Sequence, residues 1–151
     1  GDGPCRRPWQ ALSGRLGLGA RVDFLGTLSF RELRERYARA SVFCLPSRQE
    51  GFGIVFLEAM AAGLPVVAGR AAAVPEVVAE GETGWLVDPG DARALASALA
   101  ALLHDAERRR AMGEAGRRRV GRYRAEAVAE QFLGEVGAAL AREAGWSSRC
   151  A

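Results

Sequence analysis

The segment "PSRQEGFGIVFLEAMAAGLPVVAG", residues 46–69, decides the fold. A proline ends one apolar run, two glycines interrupt the loop that follows, an unbroken apolar stretch forms a helix stopping at Gly63, and "PVVA" is a second apolar run. Strand, loop, helix and strand in so short a span make a βαβ unit, whose strands run parallel. Two carboxylates stand in it, Glu50 before the glycine turn and Glu58 inside the apolar helix.

The same alternation extends on both sides. Residues 6–18 have helical character, and "RVDFLG", 21–26, reads as a strand ending at a glycine. Ser29 followed by Glu32 is a capping box that opens a helix through Ala40. "SVFCLP", 41–46, reads as a strand buried on both faces, with Cys44 in it, and a loop of four or five residues follows. Strands at 65–68 and 84–87 flank a short helix at 74–81 with Pro75 in its first turn. Beyond "DPGD" the chain is helical. Asp91 caps a segment with Leu95, Leu99, Leu102 and Leu103 on one face, and Asp105 caps an arginine-rich one. Val128, Phe132, Val136 and Leu140 give residues 125–143 an apolar stripe. The expected fold is α/β, a Rossmann-like doubly wound parallel sheet with a helical C-terminal tail, in one domain over residues 1–151. "GDGP" at 1–4 is a turn motif with no strand before it, so either a strand precedes this segment or the sheet is small.

Composition narrows the function. The chain has 151 residues, 49% of them hydrophobic, enough for an ordinary core. No apolar run approaches the ~20 residues of a membrane span, and residues 1–10 lack a signal peptide's apolar centre, so the chain reads as soluble and cytoplasmic. Cys5, Cys44 and Cys150 are scattered, without the spacing of a disulfide framework or a zinc site. All 21 basic residues are arginine, which excludes a phosphate-binding or Schiff-base lysine within the chain. Eight arginines fall in residues 105–124, where Tyr123 is the nearby aromatic. This cluster reads as a solvated helix face, with an anionic partner or peripheral membrane contact as the alternative; it lacks the interleaved aromatics of a nucleic-acid surface. His104, the single histidine, reads as a helix-end residue, which leaves little material for a catalytic triad or a metal site. "GFGIVF" lacks the third glycine of a dinucleotide fingerprint. Trp9, Trp85 and Trp146 read as packing residues.

What remains is the crevice beyond the carboxyl ends of parallel strands, where helix N-termini also gather. Gly51 and Gly53 let the backbone approach a ligand, and the helix after them presents unpaired amides suited to phosphate. That helix is apolar all round and therefore expected to be buried, so Glu58 needs a partner. Two partners satisfy it: a ligand that offers hydroxyls to the carboxylates and a phosphate to the helix, or an arginine such as Arg70 or one in the tail. A sugar nucleotide has the first arrangement.

"GDGP", "RVDFLGTLS", "YARASVFCLPSRQEGFGIVFLEAMAAGLPVVAG", "VPEVVAEGETGWLVDPGD" and "ALASALAALLHDAERRRAMGEAGRRRV" together resemble the C-terminal domain of retaining glycosyltransferases of the GT-B fold, family 4 or group 1. The resemblance implies that Glu50 faces the donor sugar near the reaction centre and that Glu58 binds the ribose hydroxyls. Backbone groups of Gly51, Phe52, Gly53 and Ile54 would contact sugar and diphosphate, and the base would lie near Gly26 to Leu28. It implies a UDP-, GDP- or ADP-sugar donor, a glycan, lipid or small-molecule acceptor, and no cofactor or essential metal. Two departures stand out. Ala72-Ala73 replace the usual Gly-Gly pair, and the family's diphosphate-binding arginine and lysine, with its acceptor domain, lie upstream of "GDGP". The chain thus resembles the donor-binding half of an enzyme, expected to bind donor weakly and to be inactive alone. The alternatives are a non-catalytic binding or interaction domain, or an epimerase or phosphorylase of related fold.

Overall fold

The structure, a computed structural model, describes residues 2–147, with side chains through residue 140. Trp146 and Cys150 lie outside the described side chains. The chain divides into two compact units, Gly1–Arg39 and Ala40–Ala151.

In the first unit, α1 (Arg6–Arg15) and α2 (Phe30–Arg39) are joined through a 3-10 turn at Gly19–Arg21 and an irregular stretch. Asp2 pairs with Arg6 and accepts from the Thr27 amide at 3.0 Å. The capping box forms as expected: the Glu32 carboxylate accepts from the Ser29 amide at 2.8 Å and hydroxyl at 2.6 Å. Those two bonds, the hydroxyl's first, hold the Glu32 carboxyl below the usual glutamate range. The strand expected at 21–26 does not form. Arg21 closes the 3-10 turn, and the residues after it join no ladder with the described strands. Extended sequence becomes strand only when a neighbour supplies the ladder; here the Phe24 carbonyl accepts from Arg6 at 2.8 Å instead.

The second unit is built on a parallel sheet of β1 (Phe43–Leu45), β2 (Val66–Gly69) and β3 (Gly84–Val87) in that spatial order, three strands where four were expected. In register, Phe43, Val66 and Gly84 lie side by side, as do Cys44, Val67 and Trp85. Because side chains alternate along each strand, these two rows point to opposite faces. On one face Val67 and Val87 pack with Leu102 of α5 (Ala92–His104) and Met112 of α6 (Ala106–Val120). On the other, Phe43 meets Phe56 of α3 (Ile54–Ala61) edge to face, ring centroids 5.9 Å apart. Helices on both faces make the sheet doubly wound.

Several expectations are corrected. Cys44 is exposed rather than buried, because β1 is an edge strand and α5 packs against β2 and β3. Leu103 is 56% exposed: adjacent helical residues diverge by about 100°, so it cannot share the inward face of Leu102. α4 (Val74–Val77) is a single turn, since Val78 is already extended. Trp9 is exposed, whereas Trp85 is half-buried under the Arg108 guanidinium, 5.4 Å from its ring centroid. Asp91 and Asp105 cap α5 and α6 as expected. α7 (Ala125–Ser147) carries the expected stripe, and Val128, Phe132, Val136 and Leu140 on it are exposed. No helix among the described residues is long and apolar enough to cross a membrane.

The arginine-rich segment is more than a solvated face. Arg109 donates to the Leu102 carbonyl at 2.6 Å and to that of Leu103 at 2.7 Å, at the end of α5. Arg117 donates to the Ala62 carbonyl at 2.9 Å, where α3 ends. Arg119 donates to the Val77 carbonyl at 2.7 Å and the Glu76 carbonyl at 2.6 Å, at the end of α4. One helix thereby places a cation on the C-terminus of three others, satisfying carbonyls that helix geometry leaves without partners and opposing the negative end of each dipole. The pairing is close because α6 presents Gly113 and Gly116 to α3: a methyl on Gly113 would stand 2.9 Å from the carbonyl carbon of Gly63 and nearer still to its oxygen.

Candidate functional site

β1 delivers the chain at its carboxyl end into residues 46–53, a loop of eight residues rather than four or five, which then enters α3. The loop is long because it first crosses the end of β2. Gly69 there lies so near Ser47 that a methyl would stand 3.2 Å from the Ser47 carbonyl carbon and closer to its oxygen. Gly53 turns the chain into α3 at φ 79°, and a side chain there would meet the Phe56 ring at 2.5 Å. Only glycine fits both conditions. No side chain caps α3, so its first-turn amides open onto the same end of the sheet as the loop.

Glu50 is half-buried in this loop, while Phe52 is 46% and Ile54 63% exposed. Glu58, four residues after Ile54, lies about 6 Å further along the helix axis. The expectation that α3 is buried all round does not hold. Its inward residues are Phe56, Ala59 and Met60, and Glu58 stands half-buried beside them, because α3 packs on the sheet through Phe56 and on α6 through Met60 and leaves the rest of its surface uncovered. Arg70, one arginine considered as its ion-pair partner, directs Nη2 to Glu80 at 2.6 Å and to the Leu86 carbonyl at 3.3 Å.

Glu50, Gly51, Phe52, Gly53, Ile54 and Glu58 thus fall on one loop and the helix it enters. Leu28 belongs to the first unit, where it lines an open apolar groove with Trp9, Leu25 and Leu33. Ala72, in the loop after β2, adopts φ 48°. A left-handed residue at that position explains why glycine suits it and alanine is strained there.

Sequence reasoning missed Tyr123. Its ring packs edge to face on Phe52, centroids 5.7 Å apart, and its hydroxyl donates to the Glu76 carbonyl at 2.9 Å. Among the described residues no three His, Cys, Asp or Glu side chains gather as a metal set.

A doubly wound parallel sheet with a glycine-turned loop and an open helix N-terminus at its carboxyl end defines a Rossmann-like domain. Residues 1–119 match the family of glycosyl transferases group 1, and the chain belongs to it. It is 42% identical over 126 residues to sulfoquinovosyl transferase SQD2 of Arabidopsis thaliana, covering 82% of this chain and 24% of that protein. Sucrose-phosphate synthase of Thermosynechococcus elongatus superposes with a TM-score of 0.80 at 39% identity, over 95% of this chain and 36% of that one. Anabaena HepE in complex with UDP superposes with a TM-score of 0.78 at 27% identity, over 87% and 36%. The likeness identifies the fold as the Rossmann-like C-terminal half of GT-B. The chain spans between 24% and 34% of the length of the curated relatives it matches.

Proposed function

We propose that the chain is the nucleotide-sugar-binding half of a glycosyltransferase that moves a glycosyl group from a nucleotide-diphosphate sugar to an acceptor hydroxyl with retention of configuration. One observation carries the reading: the loop 46–53 leaves the carboxyl end of β1 and turns through left-handed Gly53 into the uncapped N-terminus of α3. Amides of Gly51, Phe52, Gly53 and Ile54 hold the diphosphate, aided by the positive end of the helix dipole. Glu50 faces the donor sugar, and Glu58 accepts hydrogen bonds from the ribose hydroxyls. The fixed amides stabilise charge that develops on the departing diphosphate as its bond to the anomeric carbon breaks, while the acceptor hydroxyl attacks that carbon from the leaving-group face and passes its proton to the departing phosphate oxygen. The acceptor is read by residues outside this chain. Similarity to a protein solved with UDP supports the donor assignment.

Calorimetric titration against UDP-, GDP- and ADP-sugars tests the reading. Glu58→Ala weakens donor binding by about 1–3 kcal/mol, the cost of leaving a hydrogen-bonded partner unpaired. Equal affinity in the two proteins refutes the ribose assignment.

A further inference from the structure

At the carboxyl end of the sheet, β1 leads into the proposed donor loop 46–53 and β2 leads into residues 70–73. The Arg70 amide still donates to the Val87 carbonyl of β3 at 2.8 Å, and residues 71–73 then leave the ladder. The end of α6 runs on through a 3-10 turn, Gly121–Tyr123, which reaches both segments. Tyr123 lays its ring on Phe52, inside the first loop, and donates its hydroxyl to Glu76, in the helix that the second loop enters. Arg119 donates to the same carbonyl of Glu76 and to that of Val77.

We propose that Tyr123 is a positioning residue for donor binding. It braces the Glu50–Gly53 loop against α4, so that the amides and the Glu50 carboxylate of that loop are set before the nucleotide arrives. The proposal rests on the donor-site reading above. The two functional groups of Tyr123 divide the labour. The ring holds Phe52, whose amide is among the phosphate donors, and the hydroxyl fixes the distance to α4. Phe52 is half-exposed and has no other aromatic neighbour among the described residues, so its position depends on this contact. A residue some 70 positions from the glycine turn in sequence thereby sets that turn's conformation. Loops ordered in advance lose less entropy on binding, which is the physical gain from such a brace.

The test uses the whole chain with Tyr123→Ala, Tyr123→Phe and, as a control for stability alone, Leu102→Ala in the core on the far face of the sheet. Affinity is titrated with UDP, GDP and ADP well below each variant's melting temperature, and amide hydrogen exchange is followed at residues 49–54 and 74–77. Tyr123→Ala weakens nucleotide binding by about tenfold and speeds exchange in both segments. Tyr123→Phe, which keeps the ring, recovers most of the affinity. Leu102→Ala lowers the melting temperature without changing either readout at those segments. Unchanged affinity in folded Tyr123→Ala overturns the proposal, as does an equal effect from Leu102→Ala. Exchange that responds to Tyr123→Ala in a chain binding none of the three nucleotides overturns the donor reading itself, and leaves Tyr123 a structural brace.

Discussion

Gly113→Ala is a substitution on which two physical effects predict opposite signs. Gly113 lies in the interior of α6, and replacing an interior helical glycine by alanine ordinarily stabilises by about 1 kcal/mol. Here the new methyl would stand closer to the Gly63 oxygen than any ordinary contact allows, and 2.9 Å from the carbonyl carbon. Backbone cannot swing aside as a side-chain end can, so α6 must lift from α3 by about 1 Å, with an overpacking cost of about 1–3 kcal/mol. Lifting α6 also lengthens the Arg117 bond to Ala62 and the Arg119 bond to Val77, each bond contributing about 1 kcal/mol. After subtracting the propensity gain, the net loss is about 2–4 kcal/mol, or at least about 4–8 °C in melting temperature for a chain of this size. The matched control is Gly134→Ala in α7, where nothing lies within 4 Å of the new methyl and propensity acts alone. Thermal unfolding followed by circular dichroism, with urea midpoints alongside, measures both. A Gly113→Ala protein as stable as the parent, or shifted upward with Gly134→Ala, would refute the close-packing argument.

Ala72→Gly should raise the unfolding free energy by about 0.5–1 kcal/mol, read as a higher urea midpoint, because relief of the left-handed strain outweighs the added freedom of the unfolded chain; a fall in the midpoint contradicts this. Glu32→Gln should flatten the acid dependence of α2. The depressed folded pKa of Glu32 means its contribution is present above the ordinary glutamate range and is lost as pH falls through the folded value. Far-UV circular dichroism on lowering pH should therefore show a smaller loss of helix in the variant than in the parent, and an identical profile counts against the capping-box bond.

The features legible in the sequence are those decided by neighbours along the chain. Asp91, Asp105 and the Ser29–Glu32 pair cap the helices assigned to them, since a cap is a matter of two or three residues. The glycine-turned loop and the helix after it were readable for the same reason. Burial was less legible. "SVFCLP" is apolar throughout, yet whether Cys44 meets a helix depends on which strands α5 covers. The residues expected to form a strand at 21–26 have the right composition, but a ladder needs a partner that local pattern cannot supply. Arg109, Arg117 and Arg119 looked like solvated charge because the carbonyls they bind include some 42 to 55 residues away. One signal was present: Gly113 and Gly116 in a helix interior weaken it unless something packs against them. Tyr123 carried no local signal, since its partners, Phe52 in the loop after β1 and Glu76 in α4, lie some 47 to 71 residues away in sequence.

The guanidinium contacts of α6 also bear on how the second unit comes into being. During synthesis the strand–helix alternation through β3 emerges first, and the N-terminal part of a chain can begin to order before the rest exists. The carbonyls ending α3 and α4 then wait for Arg117 and Arg119, which are made some 42 to 55 residues later. A polypeptide stopped ahead of residue 106 would keep β1, β2 and β3 and leave those helix ends open to solvent, so a stretch that keeps the contacts of α6 and Tyr123 with α3, α4 and Phe52 runs through Tyr123.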